Sequence, residues 1–328
     1  MTIKFNNVYV ENVSTVAGPF VIEGPLKDNF DKKFTDFYDG EKTFEKCEMK
    51  ELREFIKILL DKTKYNEEDI SFGISADLMN QLTISNFVYS KLNIPFLGVY
   101  NACASVCEEI LIAASILENE KNKKAICTTS SHNMTSERQF RNPVEYGAPK
   151  PKTTTFTVTG AASLMLTNAK TDIKVTSATI GKVIDMGVDN VFDMGAVMSP
   201  SAAYTLNEHL KQTKTKVSDY DLILTGDLGV YGKDIFKEIC EKEYNIKLDK
   251  NYDDTATMIY DYKENIYAGG SGPACMPLVV YSSIIPKMKQ RIIKKVLLIA
   301  TGALMSPTTC NQKFSIPSVS HAVCLEVI

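Results

Sequence analysis

The sequence predicts an α/β protein built from two copies of one unit, and three observations carry that expectation. Its 328 residues are enough for two half-domains around a large core. Short apolar runs alternate with amphipathic helical stretches, as in β–α–β units. The order of strand, helix and small-residue turn found in residues 1–170 returns in residues 171–328.

In chain order, residues 1–40 alternate apolar and turn residues around Gly18-Pro19 and Gly24-Pro25, which reads as a strand and an irregular entry segment. Leu52, Phe55, Ile56, Ile58, Leu59 and Leu60 form one apolar face and predict a helix over 50–62. A strand over 70–75, a loop through Asp77 and a helix over 82–92 follow. The run Leu97-Gly98-Val99-Tyr100-Asn101-Ala102-Cys103 then leads from a strand into a helix that continues through Ile116, and 124–130 is another strand.

In the second half a helix begins at 204–211, and the strand at 220–224 ends in Thr225-Gly226-Asp227-Leu228, matching Ser75-Ala76-Asp77-Leu78. The segment 266–272 precedes a helix over 274–288 and echoes 99–105, which sets Gly270 opposite Cys103. The strand 296–301 repeats 125–129, and each half closes on an alternating strand, 160–166 and 321–327. Two such units imply parallel sheets with helices on both faces and helices shared at the centre.

Composition narrows the function. The net charge of −3 and interspersed signs leave no basic stripe for nucleic acid. The basic stretches at 121–124 and 287–295 read as solvated helix ends, although the second can also face an anionic membrane. Eight cysteines without a regular framework read as reduced thiols. The N-terminus shows no signal pattern, and the longest apolar run, 296–305, is too short to span a bilayer. The expectation is a soluble chain that reaches a membrane only through a partner.

In a duplicated α/β architecture, ligands collect at strand C-termini and helix N-termini where the halves meet. Asp77, Cys103 and His132 converge there from the first half, and Asp227, Gly270 and His321 from the second. Cys103 stands close to a helix start, where unpaired N–H groups stabilise a thiolate or hold an anion. Cys107 reads as a small apolar filler.

His132 has two readings, a pocket residue or a loop histidine with one backbone bond. His321 is assigned to the pocket and His209 to the surface. Asp77 reads as a helix cap. Gly269-Gly270-Ser271-Gly272 lacks the lysine and spacing of a P-loop, so its glycines serve close backbone approach.

Several strings carry a family resemblance: Tyr100-Asn101-Ala102-Cys103 with Glu108, Thr128-Thr129-Ser130-Ser131-His132, and Ser136-Glu137-Arg138-Gln139-Phe140-Arg141 continuing to Pro143 and Glu145-Tyr146-Gly147. In the second half they include Gly226-Asp227-Leu228-Gly229, Ala300-Thr301-Gly302-Ala303-Leu304-Met305-Ser306-Pro307 and His321-Ala322-Val323. The duplicated unit with its cysteine is similar to the thiolase and ketoacyl synthase superfamily, and within it the chain resembles the stage V sporulation proteins of spore-forming bacteria.

The resemblance implies a thiolase-like layered fold. It also implies a noncatalytic component of a spore membrane channel complex that handles dipicolinate, in sporulation and germination. Integral membrane subunits of that complex, a peripheral place at the forespore membrane and a homodimer through the strand beside the cysteine are implied as well.

Thiolase-like enzymes need second-half His or Asn groups beside the cysteine. The matching turns here hold Asp227 and Ala268-Gly269-Gly270-Ser271. An acidic group at the oxyanion position opposes developing negative charge, so condensation at Cys103 is not expected.

Dipicolinate is a flat ring with two carboxylates. A matching pocket offers helix-start N–H groups, one or two cations and an apolar slot. Arg138 and Arg141 are candidate carboxylate partners, with tying down a loop near Glu137 and Glu145 as the simpler role. No cofactor is expected. Calcium can arrive with the ligand and face Asp77, Asp227 or Glu108, but no EF-hand spacing supports a permanent metal site. Two rivals remain: an acyltransferase or thioesterase using Cys103 with His132 or His321 as base, and a docking module with a vestigial pocket.

Overall fold

The computed structural model describes residues 1–140, 149–261 and 266–328. The first half contains β1 (Tyr9–Ala17), α1 (Phe44–Thr63), β2 (Phe72–Ala76), α2 (Thr83–Tyr89), β3 (Phe96–Gly98), α3 (Ser105–Leu117), β4 (Lys124–Ser131), α4 (Asn133–Phe140) and β5 (Gly160–Thr167). The second begins with β6 (Ile173–Thr179), α5 (Met194–Thr213), β7 (Leu222–Thr225), α6 (Gly229–Tyr244) and β8 (Tyr252–Asp254). It ends with a helical run α7 over 275–289, β9 (Lys295–Ala303) and β10 (Ser318–Val327).

Among the described residues the two halves repeat one strand order, β3-β2-β4-β5-β1 and β8-β7-β9-β10-β6. They join in one sheet through an antiparallel contact of β1 with β6, Tyr9 opposite Lys174 and Val10 opposite Ile173. The sheets are mixed rather than parallel. β5 runs antiparallel to β4 and β1, and β10 antiparallel to β9 and β6. Side-chain alternation reports which face a residue takes and is blind to strand direction, so the closing strands gave no hint of their reversal.

The layers follow from which faces are apolar. On α1, Thr43 Oγ1 caps the start by accepting the Lys46 N–H at 3.3 Å. Leu52, Phe55, Ile56 and Leu59 bury one side, and Lys64 closes the helix at φ +59°. This face packs with α2 and Ile126 and Met165 of the sheet. On the other side α5 and α6 cover the second half. Between them lie α3 and α7, whose buried residues share one core with strands of both halves. α3 touches β4 of its own half and β9 and β10 of the other.

Two helices depart from the sequence reading. α5 starts ten residues before 204, because Gly195 and Pro200 lie inside it. Gly195 is there for close packing: a β-carbon on it would stand 2.8 Å from Gly232 Cα of α6. α6 itself, opening on Gly229 with Gly232 one turn in, falls in a stretch to which the sequence reading assigns no element. Among the described residues no helix is long and apolar enough to cross a membrane.

Candidate functional site

The Cys103 turn is built by both halves. A tight turn, Ala102–Ala104, precedes α3. Ala102 is buried with φ +48°, a left-handed conformation that costs an alanine on the order of 1 kcal/mol. Ser105 ties the turn down, donating its hydroxyl to Ala102 O at 2.8 Å and accepting the Asn101 N–H at 3.0 Å. From the second half, Gly302 of β9 lies so close that a β-carbon there would come within 2.2 Å of Asn101 O. The α3 start is therefore pressed against the opposite half with no room for a side chain.

Cys103, half-buried, opens on a pocket of about 520 Å³ counting its mouth. Side chains of both halves crowd it into a slot. Tyr100 and Phe140 supply aromatic surface, Met194 and Met305 line it from the second half, and Ser271 and Gly272 form a wall. Burial pushes the Tyr100 phenol up to about 12. Ser136 also lines the slot, and its buried hydroxyl has no hydrogen-bond partner. A buried unsatisfied hydroxyl is costly and marks a place where a ligand group or water is accommodated.

Asp227 stands behind the cysteine. Its backbone is left-handed, φ +66°, at the turn between β7 and α6. The carboxylate accepts the Gly272 N–H at 2.7 Å and hydrogen bonds from the Cys103 and Cys275 thiols. Burial pushes its pKa up to about 8; the Cys103 bond pulls against that, and the charge of Asp254 adds to it. Near neutral pH this group is largely protonated. The expected electrostatic opposition at the oxyanion position is accordingly weaker than the sequence implies, because burial discharges the acid. Asp254 takes the Leu228 and Gly229 N–H groups at 3.3 and 3.0 Å and thereby fixes the turn.

The remaining sequence candidates scatter. Gly270 backs onto the core, where a β-carbon would meet Ile259 at 2.5 Å, and the wall is made by the next two residues. His321 Nδ1 accepts the Gly181 N–H at 3.2 Å, and its Nε2 lies 3.2 Å from the Asn101 side-chain amide. Burial lowers its pKa to about 4. It braces the turn before Cys103 and does not line the slot.

His132 is buried away from the slot, donating Nε2–H to Phe37 O at 2.9 Å. His209, expected on the surface, is buried between Thr179 and Tyr220, with Nδ1 2.7 Å from one hydroxyl and Nε2 2.9 Å from the other. A helical stripe does not show that a second strand covers it. Arg138 pairs with Glu45 rather than reaching the slot. Arg141, with Pro143 and the 145–147 string, lies outside the described residues.

Asp77 is a cap: it accepts the Met79 and Ser85 N–H groups at 2.9 and 2.8 Å and the Ser85 hydroxyl at 2.7 Å. Burial raises the Glu108 pKa, partly offset by a hydrogen bond with Asn101. Sequence reasoning missed Ser136, Phe140, Met194, Met305 and Cys275. Ser136, Phe140 and Met305 gave a signal, by falling in the strings that carry the family resemblance; Met194 and Cys275 gave none.

Known proteins give a consistent picture. The family profile described as Stage V sporulation protein AD (SpoVAD) matches residues 1–326. Stage V sporulation protein AD of Bacillus subtilis (strain 168) is 40% identical over 319 residues, covering 97% of this chain and 94% of that protein. Among solved structures, 3-oxoacyl-[acyl-carrier-protein] synthase III from Aquifex aeolicus VF5 superposes with a TM-score of 0.57 at 12% identity over 97% of this chain and 99% of that one. A variant of Xanthomonas campestris OleA gives 0.62 at 14% identity over 99% of both. At these identities the structures speak to the fold, which is thiolase-like.

Proposed function

Since the chain belongs to the stage V sporulation protein AD family, we propose that it is a noncatalytic binding component for dipicolinate within a spore membrane transport assembly. Relatedness to a sporulation protein supports a role in sporulation. The observation that carries the finer reading is the narrow slot with the unpartnered Ser136 hydroxyl inside it. Tyr100 and Phe140 offer aromatic surface to a flat ring, and one carboxylate can accept from Ser136 and from the α3 start beside Cys103.

Among the described lining residues none is cationic, and Asp227 behind the thiol is held largely protonated, so no charge there meets a dianion. That balance favours the calcium chelate, whose charge is largely neutralised, over the free dianion. Calcium then travels with the ligand, and no metal or cofactor resident in the slot is invoked. Membrane subunits are the proposed partners at the forespore membrane. A second copy is proposed across the outermost strand β3, where Leu97 is 45% exposed.

Calorimetric titration of the full chain with dipicolinate, with and without calcium, tests the reading. Saturable binding is expected, tighter for the chelate and weakened about tenfold in Cys103→Ala or Ser136→Ala, the scale of one lost hydrogen bond. No binding in either condition leaves a docking module with a vestigial pocket. The Cys103–Asp227 hydrogen bond favours one second reading, an acyltransferase or thioesterase. Consumption of a thioester with an acyl adduct on Cys103 establishes it instead.

A further inference from the structure

A second constellation lies in the first half, independent of the Cys103 slot. Cys47 and Glu51 are one turn apart on α1, and His132 follows β4 directly. The Cys47 sulfur, a Glu51 carboxylate oxygen and a His132 ring nitrogen all lie within 4.8 Å of one another, and all three residues are buried. We propose that Cys47, Glu51 and His132 form a binding site for a zinc-class divalent metal ion.

The hydrogen bonds leave the right atoms bare. His132 donates Nε2–H to Phe37 O at 2.9 Å, which fixes the tautomer and leaves an Nδ1 lone pair with no partner. A backbone carbonyl on the far nitrogen is the usual outer-shell support of a metal-bound histidine. Phe44 stacks on the ring at 5.4 Å and Phe37 meets it edge-on at 5.6 Å, holding its orientation. Cys47 donates to Glu51 Oε1 at 3.2 Å, while Glu51 Oε2 is buried and unpartnered. A buried Nδ1 and a buried Oε2, each without a partner, cost on the order of 1–3 kcal/mol each, and a cation relieves both.

One sulfur, one nitrogen and one oxygen suit zinc, with a fourth position open. Bond lengths of about 2.0–2.3 Å set ligand-to-ligand edges of roughly 3.3–3.7 Å, so the trio needs only a modest contraction. Phe37 and Phe44, which pack on the His132 ring, also line a surface recess.

The charge environment fits. Asp39 and Glu48 face Cys47 and Glu51, Glu54 faces Glu51, and Lys50 is drawn off by Asp39 at 2.8 Å. Burial raises the pKa of both the Cys47 thiol and the Glu51 carboxyl and lowers that of His132 to about 4. The empty trio is thus neutral, and binding expels two protons, one from the thiol and one from the carboxyl.

Titration of the metal-stripped full chain with Zn²⁺, run in two buffers of different ionisation enthalpy, is expected to give one ion per chain and release of about two protons. Co²⁺ in its place is expected to show a thiolate charge-transfer absorption. Cys47→Ser abolishes that absorption, the near-isosteric Glu51→Gln weakens binding by at least about tenfold, and Cys310→Ser changes neither.

Failure of the folded, unaltered chain to bind Zn²⁺ one to one overturns the site. So does a cobalt spectrum without thiolate character, or binding that survives Glu51→Gln unchanged. In those cases the trio is a proton-shared network, with Glu51 donating to Nδ1. Should Cys47→Ser not fold, the cobalt spectrum of the unaltered chain and Glu51→Gln decide.

Discussion

Asp77 and Asp227 occupy the same place in the two halves, each at the turn after the second strand, yet they do different things. Asp77 spends its oxygens on its own neighbourhood, on Met79 and Ser85, within eight residues. Asp227 accepts a single backbone N–H, from Gly272, and otherwise meets the Cys103 thiol from the opposite half and the Cys275 thiol. A carboxylate satisfied by local amides is a structural cap. One left facing thiols across the seam is a group with chemistry to spare.

The contrast can be broken most forcefully at Gly302. In Gly302→Ala the new methyl meets Asn101 O, and the α3 start must lift from β9. A loss of about 3 kcal/mol in urea unfolding is expected, together with loss of ligand binding at the slot, because Cys103 and Asp227 separate. Asp77→Ala strands two backbone N–H groups and a hydroxyl, and about 2–3 kcal/mol should go. Slot binding by calorimetry should survive it, which separates the cap from the site.

Proton linkage sharpens the comparison next. Burial raises Asp227 and Glu48 to about 8, so the folded chain holds protons that the unfolded chain releases near pH 4. Their stabilisation is complete below that and is lost as pH rises towards 8. His132, His209 and His321, each lowered to about 4, act oppositely, costing stability as pH falls from 6.5 towards 4. Above pH 6.5 only the carboxyls contribute. Unfolding free energy should therefore decline between pH 6.5 and 8, by at most about 1.4 kcal/mol per unit for each group.

The smallest effect is expected for Asp227→Asn, about 1 kcal/mol or less near neutrality, since an amide resembles the protonated acid. It should flatten that decline. It should also remove an inflection near pH 8 from the rate of Cys103 alkylation.

Much of this contrast was legible in the sequence. The repeat aligned Asp77 with Asp227 and put Cys103 at a helix start, because strand-to-helix turns of small residues survive duplication. Strand direction was not legible, nor were α6 and the first ten residues of α5, whose glycines and proline serve helix-to-helix contact. The slot's lining was hidden for another reason. Phe140, Met194 and Met305 come together only through tertiary packing, with no shared period to reveal them. Of the two readings of His132 the single backbone bond is the one seen, but its burial was hidden because its partners, Phe37 and Phe44, lie almost a hundred residues earlier.

The strand order also sets a timetable for synthesis. Each half seats its last strand between its first and its fourth, so β1 waits for β5, Tyr9 meeting Thr167. The first half is complete once that strand emerges from the ribosome, before the sheet of the second half can form. α3 must then stand with one apolar flank bare until β9 and β10, made about 180 to 200 residues after it, arrive to cover it. That interval is when the nascent chain is most open to aggregation and most in need of a chaperone.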